Sequence, residues 1–518
     1  MTGGFATYSS YTSGYPSRAV VLIRRQIQGP IINGWLVLIT ILGAIITVGD
    51  GLTRTPDAGL DPAPMQFLEY EPYHAALLLA AVTLPLMFAY AKKARVSLTE
   101  GLFLWFTLCT TAYMRDFSYL RLPGVPLFVT DVVLVLLLFS TCILRRPHYP
   151  RKLLMLNILF VLFTAAGLMS ATRGFWEHRD SMLVLRDSAL IVYSFFLLVG
   201  YHLFRSWRSI KRLAVWFLLG TALSVLNGLA WFAAAPGQRR FIFPGIYVLV
   251  ALSGVLMMMS NRMIRPRLGW ICTGIFSLGL LLANARSLFV SLALVLVMVL
   301  LVPRLLHGKI RLVSILATLV LGIVLACSFS FLLFRMQTSR DFTTRVAGEL
   351  DSGVLHSGED PYWQFRLWAW KEAWKRFAEY PPGGEGFGVP FAFEIWDNDA
   401  RPHNTFLTVL CKMGLIGFIP LFAILGCFFW SVFAALQRHR KKSRALFLQV
   451  GGAVQIVLCL YGMANLMLES PHLAALFWTA IGVDLRMIRM LDLEELLRKG
   501  ANPFGASRLL AESSSGAQ

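Results

Sequence analysis

The sequence predicts an all-α polytopic membrane protein with about 12–14 transmembrane helices. Composition is the first reason: 57% of the 518 residues are hydrophobic and the mean hydropathy is +0.63, too apolar for a soluble fold of this length. The second is that the apolar residues gather into runs long enough to cross a bilayer. The third is that Lys and Arg cluster between alternate runs, as the positive-inside bias requires. The net charge of +20 therefore reads as topology rather than nucleic-acid binding, because the basic residues are not collected on one face or tail.

In chain order, the apolar runs fall near 31–49, 73–91, 98–114, 124–144, 152–170, 182–204, 211–234, 241–260, 267–285, 287–303, 310–334, 412–435, 444–466 and 471–488. The third and tenth are short for a full span. Arg18, Arg24 and Arg25 place the tail 1–30 in the cytoplasm. Every second connection is then basic, from Lys92, Lys93 and Arg95 to the cluster Arg438, Arg440, Lys441, Lys442 and Arg444. This alternation puts both termini inside. It divides the chain into an N-terminal bundle over 31–334, an outer loop over 335–411, C-terminal spans over 412–488 and a cytoplasmic tail over 489–518.

The first run has no small-residue cleavage pattern after it and is expected to stay as a span rather than leave as a signal peptide. The 7 cysteines lie in or beside apolar runs with no CxxC spacing, which argues against a disulfide framework or a zinc site.

Short outer connections should be poor in basic residues, yet Arg54, Arg115, Arg121, Arg173, Arg179, Arg239, Arg240 and Arg286 fall on that side, with no lysine among them. A guanidinium is always charged and grips phosphate oxygens two at a time, so this bias suggests a phosphate-bearing ligand near the outer leaflet. Headgroup contact, or pairing with Asp50, Asp116 or Glu177, explains any single arginine as well. Arg286 in LLANARSLFV and Arg186 in MLVLRDSALIVY lie deeper, as does Asp131 in FVTDVVLVLLL. Charges at that depth are costly and face a polar cavity or a partner. An internal ion pair ordering the bundle would account for Arg186; Arg286 has no acid in its own hairpin.

The one long outer loop holds WQFRLWAWKEAWKRFAEYP, in which Arg366, Trp370, Ala373 and Phe377 share a helical face. Its tryptophans suit a helix lying along the membrane interface, covering a lipid-linked substrate or only sealing the rim of the bundle. The helix should stop at Pro381 and Pro382, with GGEGFG as a flexible turn after it. The loop ends at RPHNTFLTVLCKMGLIG, which enters a span beginning near Gly414. There His403 is a candidate base, since imidazole exchanges protons near neutral pH, with Asn404 beside it. A helix cap by Asn404 with His403 as interface polarity is the plain alternative.

Arg286-Ser287, R-x-x-x-W at Arg366 to Trp370, P-x-x-G-x-G-F-G at Pro381 to Gly388, and His403-Asn404 followed by Gly414-Leu-Ile-Gly417 occur in that order. Together they resemble the bacterial O-antigen ligase and Wzy-type polysaccharide polymerase superfamily. Upstream, LRLPGVPLFVTDVVLVLLL and RRFIFPG resemble early family segments more loosely. The resemblance implies a GT-C-like glycosyltransferase of the bacterial inner membrane, active at the periplasmic face. Its donor would be a glycan on undecaprenyl diphosphate, and its acceptor a lipid A core or another lipid-linked glycan. Polysaccharide export or flippase machinery would be its neighbour. The resemblance makes His403 the base for the acceptor hydroxyl. It gives the diphosphate to Arg286 and, by looser correspondence, to Arg186, Arg240 and Arg366, with Asn404 and Asp131 in support.

Glycosyl displacement from a diphosphate needs a base and a charge clamp, and direct attack inverts the anomeric centre. Acidic pairs that could hold a metal exist at Asp397 and Asp399 and at Glu69 and Glu71. Because arginines already supply positive charge, no metal or other cofactor is expected. A lipid-linked oligosaccharide flippase is the rival reading, although transporters usually show two related halves and no internal repeat occurs here. An envelope scaffold would leave Arg186 and Arg286 without a purpose.

Overall fold

The computed structural model describes residues 34–53, 71–121, 127–143, 154–234, 245–283, 361–391, 401–440 and 442–498. They form α1 (Gly34–Thr53), α2 (Glu71–Ala94), α3 (Leu98–Ser118), α4 (Val129–Leu138), α5 (Leu154–Trp176), α6 (Ser181–Asp187), α7 (Ala189–Val192), α8 (Phe196–Leu203), α9 (Trp207–Ala234), α10 (Gly245–Ser260), α11 (Pro266–Ala283), α12 (Pro361–Glu379), α13 (Thr405–Arg438), α14 (Ala445–Gly462) and α15 (Pro471–Arg498). Among the described residues there is no strand, only an isolated bridge between Arg121 and Phe128. Every apolar run of the sequence overlaps a helix except 287–303 and 310–334, which lie outside the described residues. Eight helical stretches among the described residues are long and apolar enough to cross a membrane. The chain is an all-α, multi-pass membrane protein.

The surface fits that setting. Ile45, Val135, Val161, Met169 and Trp430 point outward, at 62 to 71% exposure, so the medium around the bundle must be apolar. Helices meet where side chains are smallest. A Cβ at Gly200 of α8 would lie 2.6 Å from the Thr479 carbonyl oxygen of α15, and one at Gly482 of α15 would lie 2.8 Å from the Tyr201 nitrogen. Two backbones in near contact give the dispersion energy that replaces hydrophobic exclusion in lipid. At the opposite end from His403, Arg212 of α9 pairs with Glu100 of α3 at 2.7 Å, both nearly buried, so each charge is compensated.

The run 182–204 is one helical span, Ser181–Leu203, which tightens to a 3₁₀ turn over Tyr193–Phe195 between α7 and α8. One sequence expectation changes: the span that follows the outer loop begins at Thr405, not near Gly414. Asn404 caps it, its Oδ1 accepting from the backbone N–H groups of Phe406 and Leu407 at 3.1 Å each. Gly414 is a break inside it, at φ 59° and ψ −160°.

Candidate functional site

The break at Gly414 receives the segment that follows α12. Backbone N–H groups of Leu415 and Ile416 donate to the carbonyls of Pro381 and Pro382, at 2.9 and 3.0 Å. In return Glu385 and Gly386 donate to the carbonyls of Cys411 and Lys412, at 2.8 and 3.1 Å. A helix interrupted in a membrane must have its freed backbone groups satisfied by protein, and this strap does it. On its other side the strap lies on α5 and the α5–α6 turn: Phe387 N–H donates to the Ser170 carbonyl, Arg173 to that of Gly384, and Arg179 to those of Glu385 and Phe387. Glu177 holds both arginines. The GGEGFG stretch is therefore not the flexible turn expected, and Phe387 within it is fully buried. Arg173 and Arg179 serve the fold, as the pairing alternative for the outer arginines anticipated.

Beneath the strap is a buried ionic network assembled from five parts of the chain. Asp187, the last residue of α6, accepts from Arg401 at 2.7 Å through Oδ1 and from the Gly388 N–H at 2.9 Å through Oδ2. Lys412 of α13 places its Nζ 3.5 Å from Asp187 Oδ2 and 2.7 Å from Glu385 Oε1, and also donates to the Val389 carbonyl. Its side chain is only 1% exposed and sits against the Phe391 ring, 4.6 Å from the centroid. Arg376 of α12 reaches Glu385 Oε2 at 3.4 Å. Between α14 and α15, Glu469 accepts from the Thr405 hydroxyl at 3.0 Å and lies 3.9 Å from Arg401. Burial pushes the Glu469 carboxyl up, against the lowering pull of Arg401 and of hydroxyl donors.

His403 stands beside this network. Arg401 is anchored two residues before it, Trp370 of α12 donates to the Pro402 carbonyl at 2.8 Å, and Asn404 caps α13 immediately after. Pinned on both sides, His403 takes φ 48°, a left-handed conformation that an L side chain adopts at a cost. Among the described residues its imidazole has no hydrogen-bonding partner. Burial, and then the charge of Arg366, push it down to about 4. At neutral pH the ring is uncharged, with a lone pair available to accept a proton.

Further polar groups lead from His403 across this end of the bundle. Arg366 acts electrostatically on Tyr461 as well as on His403. The buried His472, at the start of α15, lies between the rings of Tyr119 and Tyr247, with centroids 6.2 and 6.4 Å away. Neither His472 Nδ1 nor the Tyr247 hydroxyl has a partner among the described residues. Arg115 covers the Tyr119 ring at 5.6 Å. Arg186 is within electrostatic reach of Arg401, Asp187, Tyr119 and Glu469.

Of the sequence candidates, His403, Arg366 and Arg186 thus lie at one end of the bundle, and Asn404 is the cap that aims His403. Asp131 sits lower in importance: it starts α4, accepting from the Phe128 N–H at 2.8 Å and from the Tyr193 hydroxyl at 2.7 Å. Arg286 and Arg240 lie outside the described residues, as do Asp397, Asp399 and Glu69. Lys412, Glu385 and Glu469 are not among the sequence candidates. A lysine within TVLCKMGLIG carries a signal that the intramembrane-charge rule would have caught; the two glutamates carry none without their partners.

Residues 271–422 match the model of the O-antigen ligase family, a region that takes in α12, the strap, His403 and the break at Gly414. No curated protein matches the chain.

Proposed function

From the match of residues 271–422 to the O-antigen ligase family model, we propose that the chain is a glycosyltransferase moving glycan from an undecaprenyl-diphosphate donor to a hydroxyl acceptor at the periplasmic face of the inner membrane. The observation that carries this reading is the state of His403: a buried imidazole held neutral and, among the described residues, without a hydrogen-bonding partner, fixed by Arg401, Pro402 and Asn404 next to the arginine-bearing polar end of the bundle. In the reaction, His403 accepts the proton of the acceptor hydroxyl as its oxygen bonds to the anomeric carbon. The bond from that carbon to the diphosphate breaks, and undecaprenyl diphosphate leaves with the electron pair. Arg186 and Arg366 stabilise the departing charge, joined by Arg286 from the sequence. Attack from the face opposite the leaving group inverts the anomeric centre. The acceptor is another lipid-linked glycan in a polymerase or a lipid A core in a ligase.

The transfer itself tests this. Purified protein is mixed with an undecaprenyl-diphosphate oligosaccharide, without added metal, and the glycolipids are followed by mass spectrometry. Longer glycans with release of undecaprenyl diphosphate identify polymerisation, and a product formed only when lipid A core is added identifies ligation. Movement of the intact donor across liposomes with neither product would replace this reading by a flippase.

A further inference from the structure

At the far end of α10 and α13 from His403, the turn after α10 and the turn after α13 flank a shallow, open cleft of about 360 Å³. Its wall contains Ser260, Asn261 and Arg262 from one turn and Arg440, Lys442 and Ser443 from the other. Arg262 adopts φ 55°, so the first turn holds a non-glycine residue in the left-handed region at the cleft. Asn261 donates to the Met257 carbonyl at 3.0 Å, fixing the wall on which Arg262 stands.

The neighbouring cations are neutralised by the end of α15. Arg438 and His439 share Asp492, Arg444 meets Glu494, and Lys442 meets Glu495 at 2.9 Å. Arg262 and Arg440 have no acidic partner among the described residues. Two arginines that line one open cleft from loops almost 180 residues apart in the sequence, with the Ser260 and Ser443 hydroxyls beside them, have the chemistry of an oxyanion receptor. Basic residues in short inner loops need only be on the right side to set topology; convergence on one cleft goes beyond that need.

We propose that this cleft binds a phosphate-bearing anion, with Arg262 and Arg440 as its principal ligands. The source is either the headgroup of an anionic phospholipid or free phosphate. The positive-inside bias places the cleft at the inner leaflet, where anionic headgroups and basic pockets meet.

The test compares wild type with the double variant Arg262→Gln/Arg440→Gln, both full length and in nanodiscs. Thermal unfolding and lipid retention by native mass spectrometry are read in phosphatidylcholine, in phosphatidylcholine with phosphatidylglycerol, and in phosphatidylcholine with inorganic phosphate. Phosphatidylglycerol is expected to raise the unfolding midpoint of wild type and to be retained, with affinity about tenfold or more weaker in the double variant. The two proteins should unfold alike in phosphatidylcholine alone. A rise with inorganic phosphate, lost in the variant, would instead assign the site to free phosphate. No rise in wild type with either anion, or an equal rise in the variant, would overturn the site and leave these arginines as topology determinants.

Discussion

Gly384 and Gly414 lie backbone against backbone: a Cβ on Gly384 would sit 2.6 Å from the Gly414 nitrogen, and a Cβ on Gly414 would crowd the Gly384 nitrogen and lie 2.6 Å from the Pro382 carbonyl carbon. Both residues also hold positive φ, 69° and 59°. This contact locks the strap into the break of α13, nine residues into the helix that His403 precedes.

Alanine at either glycine combines backbone strain of about 1–3 kcal/mol with a clash that only movement of the strap relieves. Gly414→Ala is expected to lower the unfolding midpoint in detergent and to raise proteolysis within 381–391, whereas Gly383→Ala, which has open space around its Cβ, should leave both unchanged. Equal behaviour of the two variants would show that the strap is not locked here.

Lys412 compensates Asp187 and Glu385 at once. Lys412→Met removes one partner from buried carboxylates, which costs about 3–5 kcal/mol when a buried pair is broken. The variant should accumulate poorly in the membrane, and adding Glu385→Gln should restore part of the loss. Absence of any restoration would mean that the two charges are not coupled.

The uncharged state of His403 has a pH signature. Its folded value of about 4 lies below the ordinary 6.5, so it stays a competent base as the pH falls below neutrality. The acid limb of kcat/KM, which reports the free enzyme, should fall near pH 4 rather than near 6.5. For stability the sign is the same: between 6.5 and 4 the unfolded chain takes up a proton that the folded one refuses, so this group lowers stability as pH falls through that window. An acid limb at 6.5 would contradict the burial of His403.

Arg186 in its proposed role contributes a planar fork to the departing diphosphate. Arg186→Lys keeps the charge and should still lower kcat/KM by about tenfold or more, with little change in unfolding midpoint. Wild-type kinetics would remove it from the donor site.

The fold was legible because it is written locally. Each apolar run overlapping a described helix declared itself by length and composition, and the stripe Arg366, Trp370, Ala373 and Phe377 anticipated α12, in which Ala369 and Ala373 are buried. What was not legible depends on partners distant in the chain. The start of α13 lies upstream of the apolar run 412–435, because TFLTVLCKM mixes two threonines and a lysine into its apolar residues, and the lysine's charge is compensated by Asp187 and Glu385 far away in the chain. The strap looked loose because its glycines and prolines are turn-formers; its rigidity comes from Ser170, Arg173, Arg179 and the break at Gly414. His403 and Arg366 were found from order and residue type, whereas Glu469, Tyr247 and His472 join them only in three dimensions.

The central claim is that His403 takes the proton from the acceptor hydroxyl. The most direct test is single-turnover transfer from an undecaprenyl-diphosphate oligosaccharide by wild type and His403→Ala, with their unfolding midpoints measured alongside. Loss of the transfer rate by about 10²–10⁴-fold, the usual contribution of general base catalysis, with an unchanged midpoint is the predicted result. Transfer by His403→Ala at the wild-type rate would contradict it.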